Sequence, residues 1–175
     1  MVGLLSTLER QHRPMPTRVG WLCSSYMKYQ IDQSGKIEYT SHSTVVAFSN
    51  GKSGSLMIKA SSKRKILFYF RDAKKPHMFV YKTFAALVYL LIERERGKSL
   101  EINIDREYWG KESLIKDYLL RIIRKQKKID FPASNISFCL VGKKSKCHLL
   151  AISILRKKKK PGRVVNETDI LRLIV

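Results

Sequence analysis

Residues 26–35 read Tyr26-Met27-Lys28-Tyr29-Gln30-Ile31-Asp32-Gln33-Ser34-Gly35, and residues 100–105 read Leu100-Glu101-Ile102-Asn103-Ile104-Asp105. Both stretches are strand-like. The first is β-prone up to Ile31 and stops at a turn signal, Asp32 to Gly35. The second alternates apolar and polar residues, the period of a half-buried strand. Each ends on an aspartate. What lies between them decides whether the two can be neighbours. Ile37 to Ser49 restarts as a strand around Val45-Val46-Ala47-Phe48, and Asn50-Gly51 is a strong hairpin turn. A third strand, broken in the middle, is expected from Ser55-Leu56-Met57-Ile58 to Ile66-Leu67-Phe68-Tyr69-Phe70. Then the period changes. From Pro76 to Arg96, Phe79, Thr83, Phe84, Leu87, Val88, Leu90 and Leu91 recur at three-to-four spacing, closing at Gly97. Pro in the first turn and Gly past the end mark a helix.

Beyond Asp105 a second helix carries Leu114, Ile115, Tyr118, Leu119, Ile122 and Ile123 on one stripe. Asn135 to Val141 is a short apolar strand ending at Gly142, and a third helix spans about Ser145 to Lys157. Arg156 and Lys157 to Lys160 suit the negative end of its dipole. Pro161-Gly162 breaks the chain, and Asn166 caps a last short helix with Asp169 at its third position. The order β-β-β-α-β-α-β-α predicts an α/β fold with a mixed five-stranded sheet flanked by helices. Residues 1–24 form an arm, 25–160 the domain, and 161–175 a C-terminal tail helix.

The chain has 175 residues, with 35 Lys+Arg against 14 Asp+Glu, a formal net charge of +21. An excess of that size repels itself in a compact state and is usually kept where an anionic partner screens it. An apolar content of 44% is ordinary for a globular domain and argues against wholesale disorder. No apolar run approaches the roughly 18 residues that cross a bilayer, and Met1 to Arg18 lacks the apolar core of a signal peptide. Cys23, Cys139 and Cys147 are odd in number and form no CxxC pair, which disfavours a disulfide framework or a structural zinc site. A cytoplasmic, nucleic-acid-facing domain is therefore expected, with no membrane partner.

Fourteen acids are few enough to place one by one. Most fall on helix faces or caps; Asp32 and Asp105 end strands instead. If those strands are neighbours through a right-handed crossover, the two carboxylates meet at one end of the sheet. Paired acids beside a cationic surface suit Mg²⁺ or Mn²⁺ held against a phosphate, because hard cations prefer oxygen ligands. The plainer reading is that Asp32 merely opens a turn. Glu107 is an extra ligand or a salt-bridge partner of Arg106. His148, near the start of the third helix, is a metal ligand, a general base, or an imidazole capping local backbone.

Nucleotide loops fail on spacing: Gly51-Lys52-Ser53 would need Gly where Val46 stands, and no GxGxxG occurs. The basic residues cluster at Lys63-Arg64-Lys65, at Arg121, Arg124 and Lys125, at Lys143, Lys144 and Lys146, and at Arg156 to Lys160. Solvated helix faces or a lysine-rich proteome explain part of this. The imbalance over acids fits phosphate-backbone binding better. Tyr108 and Trp109 follow the second aspartate and are the better candidates for stacking on single-stranded bases; otherwise they pad the edge of the core.

The element order and the acid positions together resemble the ribonuclease H-like superfamily over about residues 25–157. In that family the first strand carries an Asp, matched here by Asp32. The fourth strand ends in a second Asp followed by a loop with an aromatic residue, matched by Asp105-Arg106-Glu107-Tyr108. The final acid of the last helix is replaced by His148 in Cys147-His148-Leu149-Leu150-Ala151, and the usual Glu of the first helix has no counterpart around Tyr81-Lys82-Thr83. The chain looks most like small archaeal members of the superfamily, some of which degrade single-stranded DNA from the 3′ end. The resemblance implies a divalent-metal-dependent nuclease in which Asp32, Asp105 and His148 are catalytic, and Asp32, Asp105 and Glu107 hold Mg²⁺ or Mn²⁺. Lys63, Arg64, Tyr108, Trp109, Arg121, Arg124, Lys125, Lys143, Lys144 and Lys146 would then face the nucleic acid, with single-stranded DNA favoured and RNA also compatible. A homo-oligomer is compatible with this reading. The alternative is a non-catalytic basic module that binds RNA or DNA and needs no acids.

Overall fold

A computed structural model of the chain describes residues 28–95 and 100–175. The arm expected over 1–24, Cys23, and the Gly97 stop of the first long helix lie outside the described residues. In chain order the elements are β1 (Tyr29–Ser34), β2 (Thr44–Asn50), β3 (Lys52–Ile58), α1 (Ala60–Asp72), α2 (Phe79–Ile92), β4 (Ile102–Asp105), α3 (Glu112–Lys127), β5 (Ile136–Cys139), α4 (Lys146–Leu155), β6 (Arg163–Val165) and α5 (Glu167–Ile174). The strands form one mixed sheet in the order β5-β4-β1-β2-β3-β6. β1, β2 and β3 pair antiparallel, with Gly51 at φ 64° in the hairpin turn between β2 and β3. β4 pairs parallel with β1, β5 with β4, and β6 with β3. The chain is thus α/β, with six strands rather than five.

Alternation along the strands separates two faces. Ile31, Val46, Phe48, Leu56, Ile58, Ile102 and Ile104 join the main core with α2. That helix is buried along nearly its whole length from Thr83 to Ile92, because α1, α3 and α5 also pack against it. An apolar surface running all round a helix needs such an enclosed position. On the opposite face Val45 and Ala47 pack against Ala151 and Ile154 of α4, with Met57, Leu150 and Leu155 at the margin.

Four expectations are corrected. The first strand does not stop at a turn opened by Asp32: β1 runs on to Ser34, with Asp32 opposite Ala47 and Ser34 opposite Val45 of β2, and the chain turns at Gly35. The broken third strand ends at Ile58, and its second half is helix α1. Ser62, Lys63, Ile66 and Phe70 point inward at helical spacing, whereas Phe68, which a strand would put beside Ile66 and Phe70, is 72% exposed. The second strand begins at Thr44, and buried Ile37 belongs to the preceding loop. Residues 161–175 are more than a tail helix. Arg163–Val165 extends the sheet, and α5, started by the Asn166–Asp169 capping box, puts Ile170, Leu173 and Ile174 into the main core. Arg163 ties this segment to the body through Glu93 at 2.6 Å and braces it internally through Asp169 at 3.4 Å.

Lys63 is corrected too. Its side chain is fully buried, and its ammonium donates to the Lys36 carbonyl, the Tyr39 carbonyl and Thr44 Oγ1, each at 2.9 Å. It cannot face a nucleic acid. Instead it pins the 35–43 loop against α1, and burial pulls its pKa down to about 8, opposed by nearby Glu38. Lys63→Ala would strip three acceptors of their donor and open a cavity, a loss of about 3 kcal/mol. Urea unfolding should show a lower midpoint for Lys63→Ala, and a smaller decrease for Lys63→Met, which keeps the volume.

Candidate metal centre

Parallel pairing sets β1 against β4 with Tyr29 opposite Ile102, Gln30 opposite Asn103 and Ile31 opposite Ile104. The next residue of each strand is an aspartate. Because Ile31 and Ile104 face the main core, alternation turns Asp32 and Asp105 to the other face, the one covered by α4. There Asp32 is 3% exposed. Gly35, at φ 76°, then turns the chain away so tightly that a Cβ would stand 2.6 Å from the Ser43 carbonyl oxygen.

Asp105 is fixed by the strand next to it: its Oδ1 accepts from the Val141 N–H at 2.8 Å, just past β5. The chain then doubles back, with the Arg106 N–H donating to the Cys139 carbonyl at 3.1 Å and the Glu107 N–H to the Asp105 carbonyl at 2.9 Å. This brings Glu107 in. One carboxylate oxygen from each of Asp32, Asp105 and Glu107 lies within 4.8 Å of the other two. His148 arrives from the first turn of α4, where Ser145 caps the helix by accepting from the His148 N–H at 3.2 Å. Its Nδ1 lies 2.8 Å from Asp32 Oδ2, which leaves Nε2 for a water or substrate.

Burial and neighbouring carboxylates disfavour the charged forms of Asp32 and Glu107. Burial and then the Asp105 carboxylate push Asp32 up to about 6, against the pull of His148. Burial, then Asp105 and Asp32, push Glu107 up to about 7, with Lys36 opposing. A divalent cation would relieve that repulsion, and an all-oxygen donor set is what Mg²⁺ and Mn²⁺ take. The residues therefore fit such an ion. His148 adjoins the set through Asp32 and is not one of the three clustered carboxylates.

The other sequence candidates divide. Lys143, Lys144 and Lys146 are exposed around the turn into α4, on the side of His148. Trp109 is 67% exposed, with the Arg106 guanidinium 5.0 Å from its ring centre. Tyr108, by contrast, pads the core edge: it packs edge-on against Tyr81 and Phe84, and its hydroxyl is held by Gln33 at 3.1 Å and Glu38 at 3.3 Å. Burial raises that phenol well above its ordinary range. Arg121 pairs with Asp117, Arg124 with Asp130, and Lys125 donates to the Val175 carbonyl. All three sit on α3, whose apolar residues join the main core on the sheet face away from α4. Arg64 is exposed and donates to the Thr40 carbonyl at 3.0 Å. The influence of Lys36 on Glu107 was not foreseen, since only the fold of the loop after β1 brings it near.

No protein-family model matches the chain, and comparisons with curated proteins and with solved structures find no match. Among the described residues no helix is long and apolar enough to cross a membrane.

Both raised carboxyls bind protons in the folded chain at pH values where the unfolded chain has released them. Without a cation, stability should therefore fall as pH rises from about 4 to about 7. Thermal unfolding in EDTA across that range should show a shallower fall for Glu107→Gln than for the wild type. At pH 8, Mg²⁺ or Mn²⁺ should raise the unfolding temperature, and Asp105→Asn should abolish the increase.

Proposed function

We propose that the protein is a divalent-metal-dependent nuclease of the ribonuclease H-like class, hydrolysing phosphodiester bonds. The favoured form is a cytoplasmic 3′→5′ exonuclease on single-stranded DNA. The observation that carries the reading is the convergence of Asp32, Asp105 and Glu107, with His148 on Asp32, in a chain of net charge +21. Neighbouring parallel first and fourth strands, with Asp32 inside β1 and Asp105 at the end of β4, support the class.

When bound, Mg²⁺ or Mn²⁺ supplies Lewis-acid polarisation of a phosphoryl oxygen and makes a water easier to deprotonate. Asp32, Asp105 and Glu107 hold the ion. The Val141 amide fixes the orientation of Asp105. His148 donates from Nδ1 to Asp32, so its Nε2 can take a proton from the attacking water or orient it. Lys143, Lys144 and Lys146, beside that helix start, attract the phosphate backbone.

Labelled single- and double-stranded DNA and RNA, incubated with Mg²⁺, Mn²⁺ or EDTA, should give metal-dependent products from the wild type. Asp105→Asn should lose cleavage by at least about 100-fold while binding nucleic acid as well or better. A mobility shift without products in any metal would replace this reading with the non-catalytic binding module.

A further inference from the structure

On the α4 face of the sheet, a groove of about 730 Å³ opens between the carboxyl end of α4 and the start of α1. Met57, Ile154 and Leu155 form an apolar floor, while Lys59 and Arg64 stand on one wall and Lys157 to Lys160 on the other. No acid lines it. Lys59, Arg64 and all four lysines of the run are exposed, so none is spent on a buried partner. The lysine run is held in place. Lys157 takes the left-handed conformation at φ 60°, and the amides of Lys158 and Lys159 both donate to the Ser153 carbonyl, at 2.8 and 3.3 Å. A lysine in that conformation costs about 1 kcal/mol that glycine would not. The folded-back backbone therefore sets the run against the groove, where a free tail would let six like charges spread apart.

The groove shares its sheet face with the carboxylates but lies at the other end of α4. His148 and Leu155 are seven residues apart on that helix, an offset of about 10 Å at about 1.5 Å per residue. A base-stacked strand rises about 3.4 Å per phosphate, so the offset is about three phosphates on a stacked strand and fewer on an extended one. We propose that this groove is a nucleic-acid backbone anchor, holding phosphates a few nucleotides from the bond at the carboxylates. The assignment of the reacting bond rests on the nuclease reading; the anchor itself needs only the groove. An apolar floor between two cationic walls fits a narrow polyanion with uncharged sugar surface.

The test is fluorescence-anisotropy binding of the full chain to single-stranded oligonucleotides of 4 and 20 nucleotides, in EDTA, across a salt series. Lys158→Glu/Lys159→Glu/Lys160→Glu should weaken binding of the 20-mer by about tenfold or more, and lower its salt slope by about 2. In EDTA the 4-mer is free to sit in the groove itself, so its affinity should fall in the same direction. Lys59→Glu, from the facing wall, should act in the same direction. Arg71→Glu/Lys74→Glu/Lys75→Glu removes the same charge from exposed positions at the far end of α1 and should weaken the 20-mer far less. Equal losses from the two triple variants, no effect of Lys59→Glu, or wild-type binding to phosphatidylserine vesicles in preference to the 20-mer would each overturn the anchor. Binding is read without metal, so absence of cleavage would sink the nuclease reading and leave the anchor standing. Cleavage with an unaffected groove variant would do the reverse.

Discussion

Parallel pairing of β1 with β4 is the constraint on which the rest of the molecule depends. It puts two aspartates side by side, where burial and the Asp105 carboxylate disfavour the charge of Asp32. Moving the Asp32 carboxyl from 3.8 to about 6 corresponds to about 3 kcal/mol of disfavoured ionisation at neutral pH. That is the size of one core side chain truncated to alanine. The other face of the same strands offsets it. Ile31, Ile102 and Ile104 are fully buried under α2 and α3, so a register slip that separated the carboxylates would also turn these three side chains out of the core. The repulsion is retained because the apolar face fixes the register.

A second consequence is that the sheet sorts its cations by face. On α3, whose apolar side joins the main core, Arg121 and Arg124 pair with Asp117 and Asp130, and Lys125 and Lys127 donate to the Val175 and Glu95 carbonyls. The cations around α4 face the carboxylate side and have few acids against them. Lys63 belongs to neither group: it works as a buried triple donor that shapes the loop after β1, and so places Lys36 and Glu38. A net charge of +21 describes none of this. Position relative to the sheet determines which charges meet a ligand, which brace a helix and which hold a loop.

Much of this arrangement was legible in the chain. The periods of β1, β4, α2, α3 and α4 are regular, and an aspartate directly after the last apolar residue of each of two strands is enough to expect their meeting if the strands pair. His148 was open to three readings in the chain, and its contact with Asp32 depends on how α4 lies across the sheet. The failures have local causes. Ile66 to Phe70 is rich in β-branched and aromatic residues and mimics a strand, although Ile66 and Phe70 alone face inward, one helical turn apart. Arg163–Val165 is too short to announce itself, and becomes a strand only because the edge of β3 lies open to it. Tyr108 looks like an exposed aromatic until Gln33 and Glu38 are seen to hold its hydroxyl.

Local patterning by itself determined most of the element types, the charge, the aspartates that follow Ile31 and Ile104 and the cap at Asn166, because each depends on residues within a few positions of one another. Only the tertiary structure decided that Glu107 completes the carboxylate set, that Lys63 is buried, and that the lysine run after α4 faces Lys59 and Arg64 across a groove. Those depend on which distant segments share a face of the sheet. Distance along the chain carries no information about that until the strands pair.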